Sequence, residues 1–230
     1  MTVTTDAGFG LDTTGQGINL SRTGAGAVSF TDANNSSITG SSFGLLAVTS
    51  ADPGNMRISS NASNTGLNNV GLYAINQGSG SLTVTTKDTT RRTEGIHTKH
   101  SGAGDLTINS TGLATATGTG LAGILARNYG AGANSSVTAA SVSGSNYGIS
   151  AHNFAGRGSL SVTTTGTITG SIRGINVRRY GTGPTSLTVS GAVRRASSTP
   201  TITVGRPLSH SMPGPGSVRH SALPFKHSGA

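Results

Sequence analysis

The densest group of ionisable side chains is Asp88, Glu94, His97, His100 and Asp105, in the run "KDTTRRTEGIHTKHSGAGD". Carboxylates and imidazoles that converge can hold a divalent metal or divide acid–base work between them. Convergence is the obstacle. His97 and His100 are three residues apart, and on a strand an odd spacing sends them to opposite faces. Polar residues on an outer face are the expectation here, with no metal or cofactor. "GAGD", Gly102 to Asp105, matches half of a calcium-binding nonapeptide, but one carboxylate does not make a calcium cage, so turn chemistry accounts for it. "GTGLAG", Gly118 to Gly123, fits G-x-G-x-x-G in spelling only. That fingerprint needs a strand before it and a helix opening on it, and in a chain with 36 glycines a chance match is expected.

A second set is sparser but regular. Lys99, Arg127, His152 and Arg178 follow one another at intervals of 28, 25 and 26 residues. Each stands four residues after a glycine that is followed by Ile or Leu. One regular series of such glycines stands at 17, 44, 71, 95, 123, 148 and 174, with a spacing of 24 to 28 residues. A fixed period of this length marks a stacked architecture, because one unit cannot bury its apolar face alone.

Each unit contains three short strand-like words. The first is "GIxAxN", as in "GILARN" from Gly123 to Asn128. The second is "LTV" or a variant, at Leu82–Val84, Leu106–Ile108, Leu160–Val162 and Leu187–Val189. The third is "ITG" or a variant, at Ile38–Gly40, Val142–Gly144 and Ile168–Gly170. Alternation with period two places Ile96, Thr98, Leu106 and Ile108 inward. Ile96, Ile124, Ile149 and Ile175 should form one internal ladder. Threonines beside the aliphatics suit an outer face, and the glycines between words are read as turn positions of positive φ. No apolar helical period persists. The expected fold is all-β, a parallel β-helix of about eight coils, roughly 40 Å long at ~4.8 Å per coil.

Composition agrees with a thin core. Hydrophobic residues are 33%, aromatics 4%, charged residues 10%, and there is neither Cys nor Trp. No run approaches the roughly 18 apolar residues of a membrane helix, so no direct membrane insertion is expected. The formal charge of +9 raises a nucleic-acid reading. Five of those charges, however, are Arg194, Arg195, Arg206, Arg219 and Lys226, leaving +4 on residues 1–193. Nucleic acid is not expected as a partner.

Within the coils, Lys99, Arg127, His152 and Arg178 should stack in one outward column. Like charges on neighbouring strands repel. A chain tolerates this as a defence of its surface against lateral aggregation, or because an anionic glycan or phosphate surface binds there. Asn76, Asn128 and Asn153 align one position further on, where stacked amides do structural work. The pectin lyases and polygalacturonases, enzymes on β-helices, gather several carboxylates on adjacent coils. Here all seven acids lie between residues 6 and 105. A degenerate polysaccharide-degrading enzyme is therefore the weakest reading.

The words "GLYAINQGSGSLTVTT" and "GISAHNFAGRGSLSVTTTGTITGSIRGINV" resemble the passenger region of Gram-negative autotransporters, the type V secretion adhesins and surface proteins. The resemblance covers residues 1 to about 193. It implies a right-handed β-helical passenger, a non-catalytic structural or adhesive role at the cell surface, and host or bacterial surface glycans as partners. The sequence departs from that family's pattern at both ends. "MTVTTDAGFG" has neither basic n-region nor apolar h-region, which on its own would leave the chain in the cytoplasm. The alternating strands of a translocator barrel do not occur. Residues 194–230 hold five of the seven prolines. That segment reads as a disordered tail with no strand, of the kind a frame shift in GC-rich coding sequence produces. Uncapped coils at either end would favour self-association.

Overall fold

The computed structural model describes residues 1–5, 10–33, 36–50, 54–118, 122–154, 156–195 and 202–205. Every strand pairing is parallel and joins one coil to the next. The "GIxAxN" words form an eight-stranded sheet from Ile18–Arg22 to Ile202–Gly205. The second and third words form a 14-stranded sheet. In two coils these words run on as a single strand, Leu106–Ala116 and Ser135–Gly144, with a register irregularity between Ser110 and Leu113. The fold is an all-β parallel solenoid with coils of about 26 residues, as the period requires.

The predicted ladder is present. Ile96 pairs with Ile124, Ile124 with Ile149, and Ile149 with Ile175, and all four are fully buried. Leu72 and Leu45 continue it. Facing ladders complete a dry interior: Phe30, Ile58, Val84, Ile108, Val137 and Val162 from the second word, and Ile38, Ala114, Val142 and Ile168 from the third. Each buried aliphatic contributes about 1.5–3 kcal/mol over an exposed one. Phe30 is the one aromatic among the buried core residues described; aliphatic repetition supplies the rest.

Two expectations need correction. Positive φ is found in the turns between first and second words, as expected, but among the described glycines only at Gly26, Gly132 and Gly156. The anchor glycines that open each first word are required for a different reason, the approach of neighbouring coils. A Cβ on Gly71 would lie 2.8 Å from the carbonyl oxygen of Gly95, and one on Gly95 would lie 2.6 Å from that of Gly123. The second correction concerns the boundary at residue 193. Val193–Arg195 pairs with Ile168–Gly170, and Ile202–Gly205 pairs with the preceding coil, Ile202 opposite Ile175 and Val204 opposite Val177. A further strand is thus laid down beyond that boundary. Residues 196–201 and 206–230, the rest of the expected tail, lie outside the described residues.

Candidate functional site

The cluster around His97 does not converge. Asp88 Oδ1 accepts the backbone N–H of Leu113, one coil on, at 2.8 Å. Asp105 Oδ1 accepts both the backbone N–H and the side-chain Nδ2 of Asn134, at 2.9 and 3.1 Å. Both carboxylates thereby tie the start of one word to the coil that follows. No group of three or more His, Asp and Glu residues is placed to hold a metal among the described residues. In "GTGLAG", Thr119, Gly120 and Leu121 lie outside the described residues; the strand Ala122–Asn128 follows them.

His97 and His100 occupy opposite faces, as their spacing requires, but the outer-face expectation fails for His100, which is fully buried, and for Glu94, which is buried too. For His100 the reason is its register. His100 stands between Asn76 and Asn128 in the column that closes the turn after each first word. Asn76 Nδ2 donates to the carbonyls of Gly80 and Ser81, at 3.2 and 3.1 Å, and its Oδ1 accepts the N–H of Gly78 at 2.9 Å. Asn128 repeats this, with Gly130 N–H donating to its Oδ1 at 3.0 Å. His100 reaches the corresponding carbonyl, Gly104, through Nε2 at 2.7 Å. The Asn column is structural, as its alignment implies, and His100 is a member of it.

Lys99, Arg127, His152 and Arg178 do stand in successive register on the outer face of the eight-stranded sheet. Arg178 is exposed; the other three are half-buried. Their charges are not equivalent. The His152 imidazole is pushed down to about 4, first by burial and then by Arg178 and Arg127. Its Nε2 lies 3.3 Å from Asn176 Nδ2, which only donates, so this nitrogen is the acceptor of a neutral ring. His152 is therefore a neutral spacer at neutral pH, and the charged column consists of Lys99, Arg127 and Arg178. Neither arginine has a hydrogen-bond or carboxylate partner among the described residues, and Arg127 Nε is buried without one. No acid follows Asp105 anywhere in the sequence.

Beside the column is a shallow depression of about 160 Å³. Arg127, His152 and Arg178 form one side; Tyr147 lies opposite, and Leu125, Ser150 and Asn176 form the floor. The floor residues share one outward register position with Tyr73 and His97. Ser150, His152 and Asn176 invite comparison with a nucleophile–base–orienter triad. Their geometry does not fit one. Ser150 Oγ and Asn176 Nδ2 both meet the same ring nitrogen, Nε2, at 3.2 and 3.3 Å, whereas a triad needs the orienting group on the other nitrogen.

No protein-family model matches the chain, and none of the curated proteins or solved structures compared with it does. Its chemistry is therefore read from the geometry above. One further feature of that geometry is a ring stack two positions past the column. Tyr129 and Phe154 are 4.5 Å apart and 2° from parallel, and Phe154 and Tyr180 are 5.0 Å apart and 5° from parallel. Lys99 Nζ sits 5.7 Å from the Tyr129 ring centre, within cation–π range. Sequence reasoning missed the stack and the floor residues. The stack was available as an aromatic two residues after each of Arg127, His152 and Arg178. The floor was not, because it depends on how far an outward position is covered by neighbouring side chains.

Proposed function

We propose that the chain is a non-catalytic rod segment with a structural or adhesive role, of the kind carried by autotransporter passengers and displayed at a cell surface. The observation that carries this reading is the unbroken register of the eight-stranded sheet, whose outer face holds Lys99, Arg127, His152 and Arg178 in one column on four successive coils and presents a patterned surface. A rod of this kind offers a partner many weak contacts in line. Ionisable groups outside the column support the same reading, since Asp88 and Asp105 tie neighbouring coils together and His100 closes a turn. The repeat words add the resemblance to passengers.

A direct test fuses the chain in place of a passenger ahead of an outer-membrane translocator barrel. Expected are a protease-accessible rod on intact cells and increased attachment of those cells to glycan-coated surfaces. Failure of both display and attachment overturns the reading, as does turnover of a polysaccharide by the purified chain.

A further inference from the structure

We propose that the outer face of the eight-stranded sheet, along Lys99, Arg127 and Arg178, is a binding track for a linear acidic polysaccharide that lies parallel to the rod axis. This rests on the adhesive reading above and names the chemistry of its partner.

Geometry carries the argument. Lys99 and Arg127 are one coil apart and Arg127 and Arg178 two coils apart, so the backbone positions that carry the cations follow one another at about 5 and 10 Å along the sheet. A sugar chain with an acidic group on every residue, or on alternate residues, has its charges in a comparable line. The cations lack internal counter-charge: neither arginine has a partner among the described residues, and residues 106–230 contain no Asp or Glu. Planar guanidinium groups suit carboxylate and sulfate, which they can bond in bidentate fashion. The depression between the arginines and Tyr147 gives a sugar ring a concave seat with polar groups at its edge.

The same face disfavours a nucleic acid. Sequence-tolerant binding of single strands depends on bases stacking on open aromatic faces. Here both faces of Phe154 are occupied, by Tyr129 and Tyr180, and Lys99 lies over the Tyr129 ring. What Phe154 and Tyr129 offer a ligand beside the column is mainly ring edges, which carry positive charge density and add to the attraction for an anion.

The test uses the full chain, immobilised, with heparin and polygalacturonate as acidic probes, neutral dextran, and single-stranded oligothymidylate. Expected is binding to at least one acidic polysaccharide that weakens steeply with added salt, with little binding to dextran or oligothymidylate. R127Q/R178Q should lose tenfold or more in affinity. R57Q/R92Q removes the same charge from two exposed arginines outside the column, and should change affinity less than twofold. Circular dichroism checks that both variants retain the β fold. Lys99→Gln offers a milder second variant, with a loss of a few fold.

Equal losses in the two double variants would overturn the proposal, because net charge alone would then explain binding. Oligothymidylate bound as tightly as the polysaccharides would overturn the choice of partner. Aggregation of R127Q/R178Q with unchanged affinity would assign the column to solubility. If cells displaying R127Q/R178Q still attach to glycan-coated surfaces as the parent does, the track is wrong while the adhesive reading stands.

Discussion

Asn128 and Asn153 stand one above the other in register and donate to the same acceptor, the carbonyl of Ala133, at 3.2 and 3.3 Å. Asn128 closes its own turn through this bond, and Asn153 ties the next coil onto it. Asn128 Nδ2 also reaches Ser135 Oγ at 2.9 Å. Replacing Asn128 with Ala would leave the Gly130 N–H without its acceptor in a buried turn. The expected cost is about 1–3 kcal/mol for a group left unsatisfied. A urea midpoint unchanged from the parent would show that water takes over the role of the amide.

His100 tests whether that column is interchangeable. With Nε2 donating to Gly104, its Nδ1 is a buried acceptor without a partner. His100→Asn should place an amide in line with Asn76 and Asn128 and remove the orphan nitrogen. Stability at neutral pH is expected to stay within about 1 kcal/mol of the parent or to rise. A loss as large as that of Asn128→Ala would mean that the imidazole fills space an amide leaves empty.

The glycines divide by what lies next to them. Gly71→Ala would bring a methyl to 2.8 Å from the Gly95 carbonyl oxygen and 3.0 Å from that of Asn64, both backbone atoms that cannot turn aside. Gly24 has no positive φ and nothing within 4 Å of the added carbon. Gly71→Ala should therefore lower the thermal midpoint markedly. Gly24→Ala should be neutral or stabilising by up to about 1 kcal/mol, through the unfolded chain. If both behave alike, coil-to-coil contact is not what selects glycine at the anchors.

These differences mark how far the sequence can be read. Period, strand words and the inward ladder were legible because burial repeats at one register position, and Ile96, Ile124, Ile149 and Ile175 carry the signal openly. The role of glycine was legible only in part, because close approach of a neighbouring coil, as at Gly71, and positive φ, as at Gly156, leave the same residue in the sequence. The strand Ile202–Gly205 was missed because it lacks the Gly-Ile opening of the other coils, having Thr201 before Ile202. The column was legible as an alignment, but the neutrality of His152 was not, since it follows from burial and from which neighbour meets Nε2.

Acid should weaken the fold through its histidines. His97 is pushed down to about 4 by burial, then Arg127 and Lys99, and His152 to about 4 by burial, then Arg178 and Arg127. His100 is lowered too, burial outweighing the Gly104 carbonyl and Asp105. Between about pH 6.5 and 4 the unfolded chain binds protons that the native rod does not, so stability rises with pH across that window. The contribution is fully present above about pH 6.5 and declines as pH falls toward 4. Urea midpoints at about pH 7, 5.5 and 4.5 should fall in that order, and less steeply in H97Q/H152Q. A flat profile would mean that these rings reach water when charged.

The ring stack offers a test of packing between coils that leaves the interior untouched. Phe154 is parallel to Tyr129 on one side and to Tyr180 on the other, and meets the His152 ring edge-on at 5.5 Å. Phe154→Ala breaks all three contacts, each worth about 0.5–1.5 kcal/mol beyond simple burial, and leaves two exposed tyrosines facing a gap. Phe154→Tyr keeps the ring and continues the Tyr–x–Tyr column with a hydroxyl at its edge. The expected order of stability is parent and Phe154→Tyr together, with Phe154→Ala lower by about 2 kcal/mol. The same gap would free ring faces beside Arg127 and Arg178, so oligothymidylate should bind Phe154→Ala better than the parent. Unchanged stability in Phe154→Ala would show that the three rings are aligned by their strands and add nothing of their own.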